Sequence, residues 1–197
     1  SMPKQVDANE RRLELASAAA RIIARAGIAG LSLRDVAAEA GWTIGALTHY
    51  FADKQELLEF TMTSSLEARR ARWSAARETG DPAAVLRRTL VESLPTDATS
   101  RLHWTVTLAF VAQSAAEPRL AILHRDAYRA YVDNVAELVE LVGIASGDAA
   151  LAEAERLTAL VNGVSMVAFY DPRRWPAARQ RDAVLAALQR SVKLTEP

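Results

Sequence analysis

Residues 32–54, SLRDVAAEAGWTIGALTHYFADK, set two short helical patterns on either side of one glycine, and this spacing restricts the fold more than any other stretch. Ser32 is an N-cap residue type, and Asp35, three residues on, suits the positive end of a helix. Val36, Ala37 and Ala40 supply an apolar face. Gly41 can take a left-handed conformation without steric cost, which ends the helix. Thr43 is a cap type for a second helix, expected from Ile44 to about Tyr50, with Leu47 and Tyr50 facing inward. Ala37, four residues before the glycine, is small enough for the two helices to pack closely. Two short helices joined by a three-residue turn containing glycine form the arrangement whose second helix enters the major groove of DNA. An ordinary helical hairpin in an all-α core would share that spacing.

The residues that follow strengthen the DNA reading. Phe51 is apolar, and Asp53-Lys54-Gln55-Glu56 reads as a capping box that opens a new helix. Lys54 falls in the first turn, where a cation is mildly unfavourable for the helix dipole. A phosphate docked at that helix end reverses the sign, because the amides and the ammonium then both face an anion.

Residues 10–58 closely resemble the DNA-binding domain of TetR-family transcriptional regulators. The matching features are the first helix ending in Ala26-Gly27, the run Leu31-Ser32-Leu33-Arg34-Asp35-Val36-Ala37, the pair Ala40-Gly41, and Gly45-Ala46-Leu47-Thr48-His49-Tyr50-Phe51 with Lys54. The resemblance implies that Thr43, Ile44, Ala46, Thr48 and His49 face the groove. It implies that Tyr50 and Lys54 meet phosphate, and that Ser32 and Arg34 open the second helix beside a backbone phosphate. Two positions depart from the family pattern. Trp42 replaces a small aliphatic residue after the glycine, which changes packing under the recognition helix. Thr48 replaces a common tyrosine. Threonine and alanine can meet a thymine methyl, but none of these side chains is a bidentate reader, so shape and phosphate contacts are expected to carry more of the recognition.

Composition sets limits on the alternatives. The 24 basic and 24 acidic residues cancel, which weighs against nucleic-acid binding. The first 55 residues are scarcely better: Lys4, Arg11, Arg12, Arg21, Arg25, Arg34 and Lys54 stand against Asp7, Glu10, Glu14, Asp35, Glu39 and Asp53. Yet Asp35 and Asp53 are explained as caps, and residues 43–51 carry no acid. Modest affinity per subunit, made up by dimerisation, is the expectation. There are no cysteines, which excludes disulfides, thiolate catalysis and cysteine-bound zinc. No apolar run approaches the ~18 residues of a membrane span, and the N-terminus lacks the apolar centre of a signal peptide. A cytoplasmic protein with no membrane partner, cofactor or metal is expected.

Taken in order, residues 1–8 read as a polar arm from which Lys4 could reach DNA. Helices are expected over about 9–26, 32–40, 44–50, 53–78, 82–94, 98–116, 118–143, 148–170 and 176–192. The breaks fall at Gly80-Asp81-Pro82, Pro95, Pro118, Gly143, Asp171-Pro172 and Pro176. Arg11 and Arg12 could touch a phosphate or simply be solvated. The fold class is all-α, about nine helices. Residues 1–52 would form the arm and the helix-turn-helix domain, and 53–197 a larger ligand-binding and dimerisation bundle. His103-Trp104, Ala109-Phe110, Glu117-Pro118-Arg119-Leu120, Asn162-Gly163 and the helix after Pro176 resemble, more loosely, the subgroup with a BetI-type C-terminal domain.

Polar and aromatic groups on otherwise apolar helices mark a candidate effector pocket. These are Trp73, His103, Trp104, Thr107 and Phe110, then His124, Tyr128 and Tyr131, then Asn162 and Met166, with Gln113, Ser114 and Ser165 nearby. Such a pocket suits a small hydrophobic or amphipathic molecule. Each of these residues could equally be a satisfied member of a bundle core or surface. Leu157, Val161, Val164, Ala168, Val184 and Leu188 are candidates for a homodimer interface of four helices, with Gly163 allowing close approach; an intrachain core would use the same residues. The expected function is a ligand-responsive regulator, by resemblance a repressor, released from a pseudo-palindromic operator by its effector. The competing readings are a helical interaction protein and a helical enzyme. The enzyme lacks support: there is no Glu-x-x-His, no Gly-rich phosphate loop and no complete nucleophile elbow.

Overall fold

The computed structural model describes residues 3–193. Among the described residues there are nine helices and no strand. They are α1 (Pro3–Ala26), α2 (Leu33–Ala40), α3 (Ile44–Thr48), α4 (Lys54–Thr79), α5 (Pro82–Glu92), α6 (Ala98–Ser114), α7 (Pro118–Val142), α8 (Asp148–Tyr170) and α9 (Ala177–Lys193).

Three of the boundaries that differ from expectation have a clear local reason. α1 begins at Pro3 rather than near Asn9, because proline is preset for a first helical turn. The expected arm is therefore helical from residue 3; residues 1 and 2 and the Lys4 side chain lie outside the described residues. α3 ends at Thr48 instead of Tyr50. The amides of Tyr50 and Phe51 both bond to the Leu47 carbonyl, at 2.8 and 3.1 Å, and this tight closure carries Phe51 into the core, where it is fully buried. α5 ends at Glu92, where the Ser93 hydroxyl bonds back to the Thr89 carbonyl at 2.8 Å.

Close packing divides the chain into two compact units. One holds residues up to 69 together with 105–125; the other holds 70–104 and the residues from 126 onward. This division does not follow the expected boundary at 52/53. α4 has 26 residues, about 39 Å at the rise of a helix, which is longer than one small core requires. α4, α6 and α7 consequently each contribute to both units.

The first unit buries Leu15, Ile22 and Ile23 of α1, Val36 and Ala37 of α2, Leu47, Phe51, and Leu57 and Leu58 of α4. Phe110 of α6 and Leu120 of α7 complete the same core. On its surface Glu39 joins α2 to α1 by accepting from Arg25 at 2.8 Å and Arg21 at 2.9 Å.

The second unit is built on Val85, Leu86 and Leu90 of α5, Val135, Leu138 and Val139 of α7, and the buried faces of α8 and α9. Here burial corrects the expected dimer residues. Leu157, Val161, Val164, Val184 and Leu188 belong to this core, and Ala168 is fully buried as well. An apolar stripe at helical spacing shows that a helix packs against something, and here the partner is the same chain. The face that α8 leaves open carries Leu151, Ala159, Asn162, Gly163 and Tyr170, the last 75% exposed.

The bonds from Arg25 and then Arg21 hold the Glu39 carboxyl down to about 2, from an ordinary value of 4.5. A carboxyl with a lowered folded-state pKa stabilises the fold fully above its unfolded value and loses that stabilisation as pH falls through the folded one. Glu39→Gln should therefore lower the melting temperature at pH 6, and the gap to the wild type should narrow between pH 4.5 and 2. A gap of constant size across that range would show that the ion pairs are not its cause.

Candidate nucleic-acid interface

The turn between α2 and α3 is closed by its main chain. Gly41 has φ +75°, the left-handed region that favours glycine. Its amide bonds to the Ala38 carbonyl at 3.1 Å, and the Trp42 amide bonds to the Ala37 carbonyl at 2.7 Å. This pair is a Schellman ending, which satisfies two otherwise orphaned carbonyls. Thr43 then caps α3 by accepting from the Ala46 amide at 3.2 Å. Leu47, fully buried, fixes which side of this short helix faces inward.

The opposite side is exposed and holds Thr43, Ile44, Ala46 and Thr48, with His49 beside them. Their hydrogen-bonding roles are partly set. Thr43 Oγ1 already accepts, which leaves its proton for an outside acceptor. Thr48 Oγ1 donates to the Gly45 carbonyl at 3.1 Å, which leaves its lone pairs and methyl outward. Tyr50 is half-buried against the core and its ring meets both His49 and Trp42 edge-on.

The flanking groups differ in how far they remain available. Arg34 is exposed and has no ion pair among the described residues. The Ser32 hydroxyl is engaged by its own cap: it accepts from the Asp35 amide at 3.1 Å and donates to the Asp35 carboxylate. Lys54 is drawn inward, its ammonium donating to the Ile28 carbonyl at 2.6 Å, so two of its three protons remain. The expected capping box is shifted by one residue: the Glu56 amide donates to Asp53 at 2.8 Å, but the Glu56 carboxylate accepts from the Ala52 amide instead of that of Asp53. Arg12 is occupied too. It donates to Glu56 at 3.0 Å and lies over the rings of Phe51 and Phe60. Glu14 and Glu39, which tie these helices together, had no marker in the sequence beyond their charge, whereas Glu56 was marked by the capping-box spacing.

The effector candidates are divided between the two units. In the second unit Trp73 and Tyr131 have ring centroids 5.8 Å apart, Ser93 Oγ lies 3.0 Å from the Tyr131 hydroxyl, and the Trp104 indole N–H donates to the Ser93 carbonyl at 2.6 Å. Ser93, the hub of this cluster, was not anticipated. His103 and Met166 are half-buried in that unit, and Tyr128 is exposed. Asn162 is exposed on the open face of α8, away from the core of that unit. Phe110 is corrected to the core of the first unit. Thr107 and His124 are also in the first unit. Burial, with a smaller contribution from the Arg69 charge, holds His124 below the ordinary imidazole value. A groove lined by Asp81, Arg87, Leu185 and Val192 contains none of these residues.

With this geometry in view, residues 15–60 match the family model of bacterial regulatory proteins of the tetR family, and residues 82–193 match the C-terminal domain of BetI-type transcriptional repressors. The chain belongs to the TetR family of transcriptional regulators. It is 34% identical over 176 residues to the HTH-type transcriptional regulator PksA of Bacillus subtilis, covering 88% of this chain and 85% of that one. A transcriptional regulator from Rhodococcus sp. Rha1 superposes with TM-score 0.81 at 28% identity, over 94% of this chain and 99% of the other. A regulator from Saccharomonospora viridis, solved in complex with choline, has TM-score 0.81 at 24% identity, over 92% and 96%, and shows likeness of fold. The TetR chain described here is thus a DNA-binding regulator of helix-turn-helix type with a BetI-type C-terminal region. Among its described residues no helix is long and apolar enough to cross a membrane, and no three His, Asp or Glu side chains cluster as metal ligands.

The Lys54 bond has a consequence in the absence of DNA. Lys54→Met leaves the half-buried Ile28 carbonyl without its donor and should cost about 1 kcal/mol in urea unfolding. A lysine that served phosphate alone would give no change in that measurement.

Proposed function

We propose that this TetR regulator is a cytoplasmic repressor with no catalytic activity, which binds a pseudo-palindromic operator as a homodimer and is released by a small hydrophobic or amphipathic effector. One observation supports the DNA reading above the others. The outward face of α3, free of acid, is held by the Gly41 turn and flanked by Arg34 and Lys54. Thr43, Ile44, Ala46, Thr48 and His49 would meet base edges, while Arg34, Tyr50 and Lys54 would meet phosphate and Ser32 would hold the helix end that faces it. With a net charge of zero, two such surfaces acting together are needed for useful affinity.

By function, residues 1–52 would read DNA, assisted by Lys54 at the start of α4, and the rest of 53–197 would serve effector and dimer. Dimerisation would use the open face of α8, where a side chain added at Gly163 meets nothing within 4 Å in its own chain. The effector would be read through the aromatic cluster of Trp73, Trp104 and Tyr131. Ring faces of this kind suit an organic cation, the class to which the choline bound by the Saccharomonospora viridis regulator belongs. Such a ligand regulates only by favouring one arrangement of the dimer over another.

Selection from a randomised duplex pool tests the DNA reading. A preferred duplex should emerge whose binding weakens with salt, at roughly 0.9 in log–log slope per phosphate neutralised. Arg34→Ala should reduce that slope by about 1 without changing the preferred sequence; failure to enrich any duplex would contradict the reading. Gly163→Leu tests the dimer. It should leave monomer folding intact yet weaken self-association by roughly tenfold or more in sedimentation, since only an outside partner can clash with it.

A further inference from the structure

We propose that Trp42 is a positioning residue for DNA recognition: its indole N–H, held by Glu14 of α1, fixes the aromatic column that presents Tyr50 and His49 beside the recognition helix. The proposal rests on the DNA reading above and adds a device that the family match does not supply.

Trp42 immediately precedes the cap of α3 and is tied down at both ends. Its main-chain amide closes α2. Its side chain reaches back to α1, where the indole N–H donates to Glu14 Oε1 at 3.2 Å. The other oxygen of that carboxylate accepts from Arg11 at 3.4 Å, and the Arg11 guanidinium lies 5.6 Å from the Trp42 ring centroid. From the indole the contacts run outward. Trp42 and Tyr50 meet with centroids 5.6 Å apart and planes at 70°, and Tyr50 meets His49 at 5.3 Å and 86°. Both are edge-to-face contacts, in which the positive ring edge of one aromatic faces the π cloud of the next.

An aliphatic side chain at position 42 could occupy the same space, but it has neither an N–H for Glu14 nor a ring for Tyr50. Turning or sliding α3 against α1 therefore costs the indole bond and the ring contact together. The magnitude argues for positioning over stability. Glu14 and Arg11 are about half exposed, and bonds at such sites contribute little to folding. A small shift at this column, however, moves a tyrosine and a histidine placed to touch DNA.

The test uses the full-length protein, the tightest duplex that it recovers from a randomised pool, and a scrambled duplex. Trp42→Phe keeps a ring but removes the N–H; Glu14→Ala removes the acceptor; Glu14→Gln keeps a carbonyl oxygen in its place. Trp42→Phe and Glu14→Ala should each weaken binding to the selected duplex by ~3- to 10-fold, the range of one hydrogen bond. The double variant should be no weaker than either single one, as for two halves of one interaction. Glu14→Gln should bind within about twofold of wild type. The salt slope should stay unchanged, because the displaced Tyr50 carries no charge and no cation leaves the phosphates, and binding to the scrambled duplex should fall by less than binding to the selected one. In the DNA-free protein the Trp42 indole N–H resonance should move in Glu14→Ala and stay near its wild-type position in Glu14→Gln. Wild-type affinity in Trp42→Phe, fully additive losses, or losses equal on both duplexes would overturn the proposal. An unmoved indole resonance in Glu14→Ala would overturn its geometry while leaving the DNA reading standing. A wild type that recovers no preferred duplex would overturn the DNA reading, and this role with it.

Discussion

Two main-chain hydrogen bonds at the end of α2, from Gly41 to Ala38 and from Trp42 to Ala37, decide the direction in which α3 leaves. They require a left-handed residue at 41, where φ is +75° and a side chain would be strained. With that turn set, Leu47 faces the core and Thr43, Ile44, Ala46 and Thr48 face outward, since a five-residue helix has only one buried side. The fully buried Leu47, Phe51 and Leu57 then lock α3 to the start of α4. Everything offered to DNA depends on these few contacts, because α3 is too short to be stable alone.

A neutral chain that binds DNA must place its charge locally. The acids around the helix-turn-helix are mostly paired: Asp53 caps α4, the Asp35 carboxylate accepts from the Ser32 hydroxyl, Glu39 holds two arginines, Glu56 holds Arg12, and Glu14 holds Arg11 and Trp42. The same carboxylates that cancel the net charge position the cations and rings around the reading head. Lys54 shows the balance on the basic side. It serves the fold through Ile28 and retains protons for an anion.

Much of this was legible from residue types, and the losses follow a pattern. Gly41, Thr43, the Asp53 cap and the prolines at 82 and 118 act through local backbone chemistry, so their helix ends fell within a few residues of expectation. The inward side of α3 followed from the apolar Leu47 and Tyr50, and its groove-facing residues from the family resemblance. The dimer residues failed because periodicity identifies a buried face without naming its partner: Leu157, Val161, Val164, Val184 and Leu188 pack within the chain. Two members of the effector set were misplaced in a similar way. Phe110 is as good a core residue as a pocket wall, and Asn162 sits on an exposed face. The Ser93 hub and the bond from Trp42 to Glu14 join residues 11 and 28 positions apart, and no local rule links positions at that distance.

The most direct test of the central claim is to map, by amide NMR, which residues respond when the selected duplex is added. The account predicts perturbations centred on residues 32–34 and 43–50 and on Lys54, with Leu47 and Phe51 retaining slow hydrogen exchange throughout. Perturbations that spare α3, or loss of protection at Leu47 on binding, would contradict a preformed recognition helix held by the Gly41 turn.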